Sequence, residues 1–93
     1  MNCSFQFSNS GFALIYNDNL KNIKKIENRS LDIYHKSLKK KSKVKITNLD
    51  NGNSLIANVK SNKEKFSNFY NSIISPRIAE ILELDNKEPY IEI

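Results

Sequence analysis

The chain reads as a small, mainly β domain with one short helix, on three observations. Lys43-Val-Lys-Ile-Thr-Asn48 and Ser54-Leu-Ile-Ala-Asn-Val59 each space apolar residues two apart, and Asp50-Asn-Gly-Asn53 lies between them, the pattern of two strands joined by a turn. The other apolar runs are short and bounded by Asn, Asp or Pro, as strands are. Only residues 76–84 carry apolar side chains at helical spacing.

In the hairpin, Asn51-Gly52 suits a two-residue type I′ turn, because both central positions need positive φ. Counting outward pairs Val44 with Val59, Ile46 with Ala57 and Asn48 with Leu55 on a mostly apolar face. Lys45, Thr47, Ile56 and Asn58 make the other face, where Ile56 predicts some burial there too.

From the start of the chain, residues 1–10 are polar with two phenylalanines and are expected to be poorly anchored, so the domain is placed at 11–93. Gly11-Phe-Ala-Leu-Ile-Tyr16 does not alternate and predicts a first strand buried on both faces, ended by Asn17-Asp-Asn19. Leu20–Ser30 has no clean period and admits a short strand or an irregular loop. Leu31–Leu38 alternates Leu31, Ile33 and His35 against Asp32, Tyr34 and Lys36, which fits a strand, and Lys39–Lys41 is a charged turn. Lys60–Asn68 is polar and is expected to be an exposed loop. Phe66, Phe69 and Tyr70 then return to the core, followed by a brief strand at Ser72–Ile74. Ser75 can cap the helix, Pro76 sits where its missing N–H costs nothing, and Ile78, Ile81 and Leu82 form the apolar stripe. Ile74 can staple onto Ala79. Asp85-Asn86 and Pro89 end the helix, and Tyr90–Ile93 is the last strand.

A chain of 93 residues holds one core. Its apolar content of 39% and mean hydropathy of −0.56 are polar without being those of a disordered chain. Net charge is +5, unevenly spread: residues 1–65 carry thirteen Lys and Arg against five Asp and Glu, and residues 66–93 carry two against five. A basic front favours an anionic partner, whether nucleic acid, lipid or polysaccharide, and equally describes a solvated lysine-rich surface. Cys3 is the only cysteine, so neither an internal disulfide nor a thiolate metal site can form, and no cofactor is implied. No apolar run is long enough for a membrane helix, and the start lacks the basic and apolar regions of a signal peptide. The chain is therefore expected to be cytosolic or a piece of something longer.

His35-Lys-Ser-Leu38 followed by Ser42-Lys-Val-Lys-Ile-Thr-Asn-Leu-Asp-Asn-Gly-Asn-Ser54 resembles the core of the rare lipoprotein A family, bacterial septal-ring lytic transglycosylases. The family reads Ala-Ala-His-Lys-Thr-Leu-Pro and then Val-Thr-Asn-Leu-x-Asn-Gly-x-Ser. Gly11–Tyr16 resembles its Gly-x-Ala-Ser-Trp-Tyr opening strand, and Ser75–Leu84 its Leu-Ser-x-x-Ala-Ala-x-x-Leu-Gly helix. The resemblance implies a small six-stranded double-psi β-barrel with one short helix, a place in the bacterial cell envelope, and peptidoglycan glycan strands or a cell-division protein as partner of a monomer. It carries His35 over as a catalytic position. The family's acidic positions differ: Ser61 stands where Asn-Asp-Arg-Gly-Pro-Phe supplies an Asp, Ile73 where a second Asp precedes the helix, and Lys24 where a gapless count puts the family glutamate.

A lytic transglycosylase protonates the glycosidic oxygen with a carboxylic acid, and Ser61 cannot supply that proton at neutral pH. The expected function is thus a degenerate envelope domain that binds peptidoglycan or a division-site partner, with cleavage weak or lost. Tyr16, Tyr34, Phe69 and Tyr70 would offer sugar-stacking surfaces. An active enzyme using His35 with Glu64 or Glu27 is one alternative. A nucleic-acid-binding barrel using Lys36, Lys39, Lys40, Lys41, Lys43 and Lys45 is another. Lone His35 makes no metal site, and Cys3 has no lipobox before it, so an inert thiol is expected there.

Overall fold

The computed structural model describes residues 9–93. It is a closed barrel of six strands with one short helix: β1 (Ser10–Ile15), β2 (Asp32–His35), β3 (Lys43–Asn48), β4 (Ser54–Ser61), β5 (Tyr70–Ile74), α1 (Pro76–Ile81) and β6 (Tyr90–Glu92). The ring order is β1-β5-β2-β4-β3-β6, with β1 parallel to β5, β2 parallel to β4, and every other neighbour antiparallel. Exchanging β1, β2 and β3 for β4, β5 and β6 returns the same ring with the same senses. That twofold relation, with two parallel pairs each joining one strand from either half of the chain, is what double-psi connectivity requires.

Of residues 1–10, expected to be poorly anchored, Asn9 and Ser10 are held by the sheet, and the others, Cys3 among them, lie outside the described residues. Asn9 and Ile93 exchange two backbone hydrogen bonds of 3.0 and 2.8 Å, and Ser10 already pairs with Glu92 in the sheet. Odd-numbered strands run toward the helix and even-numbered strands away from it. One end of the barrel is therefore closed by α1, and the other is formed by the start of β1, His35, Lys43, Ser61 and Tyr70.

Alternation within each strand separates two apolar clusters. Ala13, Ile33, Ile46, Ala57, Val59, Ile74 and Ile91 fill the barrel interior, which Ile78, Ala79 and Leu82 of the helix cap. The outer face of β1-β5-β2 has its own cluster, with Tyr16, Ile26, Tyr34 and Ile73 buried beneath residues 17–31 and Phe66. Leu20–Ser30 is thus an irregular loop that covers a sheet face, and this is why Ile33, Tyr34 and His35 are all buried although Leu31–Leu38 alternates. The tyrosines Tyr16 and Tyr34, at 5% and 0% exposure, are core residues and not sugar-stacking surfaces. β1 is less enclosed than its composition predicts, with only Ala13 fully buried within it.

The hairpin turn differs from the type I′ expectation. Val44 pairs with Ala57 and Ile46 with Leu55, two residues from the expected partners, which leaves the inward and outward faces unchanged. The cause is Asn48. Its Oδ1 accepts the Asp50 N–H at 2.9 Å and its C=O accepts the Gly52 N–H at 2.8 Å, so the loop is four residues long with Gly52 alone at positive φ, +80°. Ile56 is 54% exposed, so the outer face of this ribbon is open, contrary to the burial expected there. β4 also runs on to Ser61, making Lys60 and Ser61 strand residues instead of loop.

The helix begins as expected: Ser75 Oγ accepts the Ile78 N–H at 3.2 Å and donates to the Ser30 carbonyl. It ends earlier, at Ile81, in a Schellman arrangement in which Leu84 N–H reaches Ala79 O at 3.0 Å and Glu83 N–H reaches Glu80 O at 3.1 Å, with Glu83 at φ +54°. The buried stripe is Ile78, Ala79 and Leu82, since Ile81 is 38% exposed.

Candidate functional site

The open end of the barrel holds a cavity of about 370 Å³ lined by backbone of residues 9–11 and by His35, Lys36, Asn68, Phe69, Tyr70 and Asn71 among others. His35 ends β2 and stands opposite Ser72 of β5, both pointing the same way as the interior residues Ile33 and Ile74. A one-residue bulge falls at Asn71, between the Phe12–Tyr70 and Ala13–Ser72 pairs. The bulge brings the Asn71 amide against Gly11, where a Cβ would lie 3.3 Å from Nδ2, so Gly11 makes room for it. Ser72 Oγ donates to Asn71 Oδ1 at 2.9 Å, while Asn71 Nδ2 is buried with no hydrogen-bond partner among the described residues.

His35 is 5% exposed, and its Nδ1 accepts the N–H groups of both Ser37 and Leu38 at 3.1 Å. An acceptor at Nδ1 fixes the neutral ring with its proton on Nε2. Burial lowers the pKa of the ring from its ordinary value of 6.5, which again favours the neutral form. This satisfies the histidine through backbone N–H groups and leaves little imidazolium to serve as an acid at neutral pH.

The rim is aromatic. Phe12 on the outer face of β1 stacks on Phe69, with ring centroids 5.3 Å apart and planes 4° from parallel, and meets Tyr90 edge-on at 5.1 Å. Phe69 meets Tyr70 edge-on at 5.1 Å and is itself 65% exposed. Of the four aromatic residues expected as sugar-stacking surfaces, Phe69 and Tyr70 line the cavity, and Phe12 packs on Phe69 and Tyr90 on Phe12. The pairing of β1 with both β5 and β6 assembles this group, which the linear sequence does not show. Lys36 links rim to cavity: its Nζ donates to Asn68 Oδ1 at 2.6 Å and lies 4.6 Å from the centre of the Phe66 ring.

The positions carried over with His35 do not converge on it. Ile73 is fully buried in the outer cluster, on the opposite face of β5 from Ser72. Ser61 ends β4, where its Oγ accepts the Lys63 N–H at 3.1 Å. Of the alternative acids, Glu64 accepts the Lys24 N–H at 3.1 Å and so pins the covering loop. Tyr34 Oη donates to the Lys24 carbonyl at 2.9 Å, and burial, reinforced by Glu64, pushes its pKa up to about 12. No carboxylate lines the cavity, and no cluster of His, Cys, Asp or Glu among the described residues has metal-binding geometry. In comparison with known proteins, no family model and no curated protein sequence matches the chain.

Proposed function

We propose that this barrel binds glycan strands of the bacterial cell wall at its open end and does not cleave them efficiently, as a divergent relative of the rare lipoprotein A proteins. The observation that carries this role is the exposed Phe69–Phe12 stack at the rim of a cavity offering amides, hydroxyls and a neutral imidazole but no carboxylate. Pyranose rings present an apolar face to aromatic side chains and hydroxyls to amides, the division of apolar and polar contacts typical of small-ligand sites. Transglycosylation also needs a general acid worth roughly 10²- to 10⁴-fold. With His35 held neutral and Ser61 a hydroxyl, that contribution is missing.

Incubation with purified peptidoglycan sacculi tests the proposal. The protein is expected to pellet with sacculi without releasing anhydro-muropeptides, and Phe69→Ala is expected to weaken pelleting about tenfold while the barrel stays folded. Release of anhydro-muropeptides that is lost on His35→Ala would instead establish an enzyme. A nucleic-acid role is favoured by one observation, the lysines of the β2–β3 turn at the same end as exposed aromatics. Retention on single-stranded DNA with steep salt dependence, and indifference to sacculi, would replace the glycan role with that one. Failure to bind either, with capture of a division protein at the same rim, would make the partner a protein.

A further inference from the structure

We propose that the glycan recognised at the open end is an anionic one, selected by lysines that the barrel topology gathers there; this rests on the glycan-binding role proposed above. The uneven charge of the sequence becomes an end-to-end asymmetry in the fold. Lys36, Lys39, Lys40, Lys41 and Lys43 all lie in the one connection that leaves β2 beside His35 and enters β3. Lys60 and Lys63 at the end of β4 lie next to it, because Lys41 N–H reaches Val59 O at 2.8 Å and Asn62 Nδ2 reaches Leu38 O at 3.1 Å. At the helix end α1 and the segment after it carry Glu80, Glu83, Asp85 and Glu88 against Arg77 and Lys87, with Asp50 in the hairpin loop beside them.

These lysines are uncompensated. Where their ammonium groups have partners, those partners are neutral: Asn68 Oδ1 for Lys36, Asn58 Oδ1 at 3.0 Å for Lys43 and the Lys25 carbonyl at 3.4 Å for Lys60. Among the described residues the lysines form no ion pair, and the Arg77–Glu80 contact belongs to the helix end. Lys36 lines the cavity and the others stand on the connection and strand ends beside it; like charges gathered at one end repel one another, and a ligand that neutralises them relieves that repulsion. Lysine suits a polymer with repeated single charges, since the ammonium is a mobile point charge on a flexible stem. The aromatic rim supplies the ring contacts and the lysines supply the preference for charge.

The test compares three probes of similar length on the whole chain: a galacturonate hexamer, the neutral chitin hexamer and a thymidine oligonucleotide. The galacturonate hexamer is expected to bind at least tenfold tighter than the chitin hexamer in low salt, with the advantage lost near ~0.5 M salt, where screening shortens the range of the lysine field. Replacing Lys39, Lys40 and Lys41 together by Gln is expected to remove most of that advantage, at about two- to fivefold per lysine, while chitin binding is kept. Equal, salt-insensitive binding of both sugars would overturn charge selection and leave the glycan role standing. Tight binding of the oligonucleotide alone would overturn both. The salt dependence of the unaltered protein decides the matter even if the triple variant fails to fold.

Discussion

The two ends of this barrel each bury polar side chains, and they treat them in opposite ways. At the helix end, Asn48 Oδ1 accepts from Asp50 while its Nδ2 donates to Leu82 O at 2.9 Å, and Asn51 Nδ2 reaches the same carbonyl at 3.1 Å. Ser75 is similarly used as both donor and acceptor. The hairpin loop thus completes the end of the helix, whose last carbonyls have no partner within it. At the open end, among the described residues, Asn71 Nδ2 is buried without a partner, the lysines form no ion pair, and Phe69 is in solvent. One end meets its own needs and the other presents unmet ones, so stability and recognition are separated along the barrel axis.

Substitutions should feel that separation. Leu82→Ala at the closed end, where the side chain is fully buried, is expected to cost about 2–5 kcal/mol in urea unfolding. Asn48→Ala should cost about 1–3 kcal/mol, because it removes one of the two donors to the Leu82 carbonyl and the acceptor of the Asp50 N–H together. A loss under ~0.5 kcal/mol for either would mean that the hairpin and helix do not close the barrel jointly. Glu83→Gly should gain about 0.5–1 kcal/mol, since glycine adopts φ +54° without strain. At the open end, the smallest effect is one of pH. The His35 pKa is lowered in the fold, so the unfolded chain takes up that proton first, and stability present above pH 6.5 is lost as pH falls below it. His35→Gln should flatten the part of the stability profile between pH 7.5 and 5.5 that this residue causes. An unchanged profile would show that the ring does not titrate differently on folding.

Much of the architecture was legible in local patterns. Alternation around Asn48–Asn53, the Ser75-Pro76 cap and the punctuated short runs gave a mainly β chain with one helix, and the structure bears that out with a closed six-stranded barrel. What was missed has physical causes of longer range. Tyr34 looks like an outward strand residue until a loop from elsewhere covers it. The hairpin register slid by two because an asparagine side chain bonded its own loop and displaced the Asn-Gly turn. Phe12, the adjacent Phe69 and Tyr70, and Tyr90 are far apart in sequence and meet only through the pairing of β1 with both β5 and β6. His35 was legible as a special position, but its neutral state depends on the Ser37 and Leu38 amides, which only the backbone path places.

The twofold ring has a consequence for how the molecule comes to exist. Each parallel pair takes one strand from either half of the chain, so neither half can bury its own apolar face, and β6 must slot between β1 and β3 before either of those strands has both neighbours and the ring closes. Assembly is therefore expected to be a single late event, slow for so short a polypeptide because nearly every pairing outside the central hairpin spans a long stretch of chain. During synthesis the emerging barrel would stay open until β6 clears the ribosome, with its isoleucine-rich segments open to chaperones in the meantime.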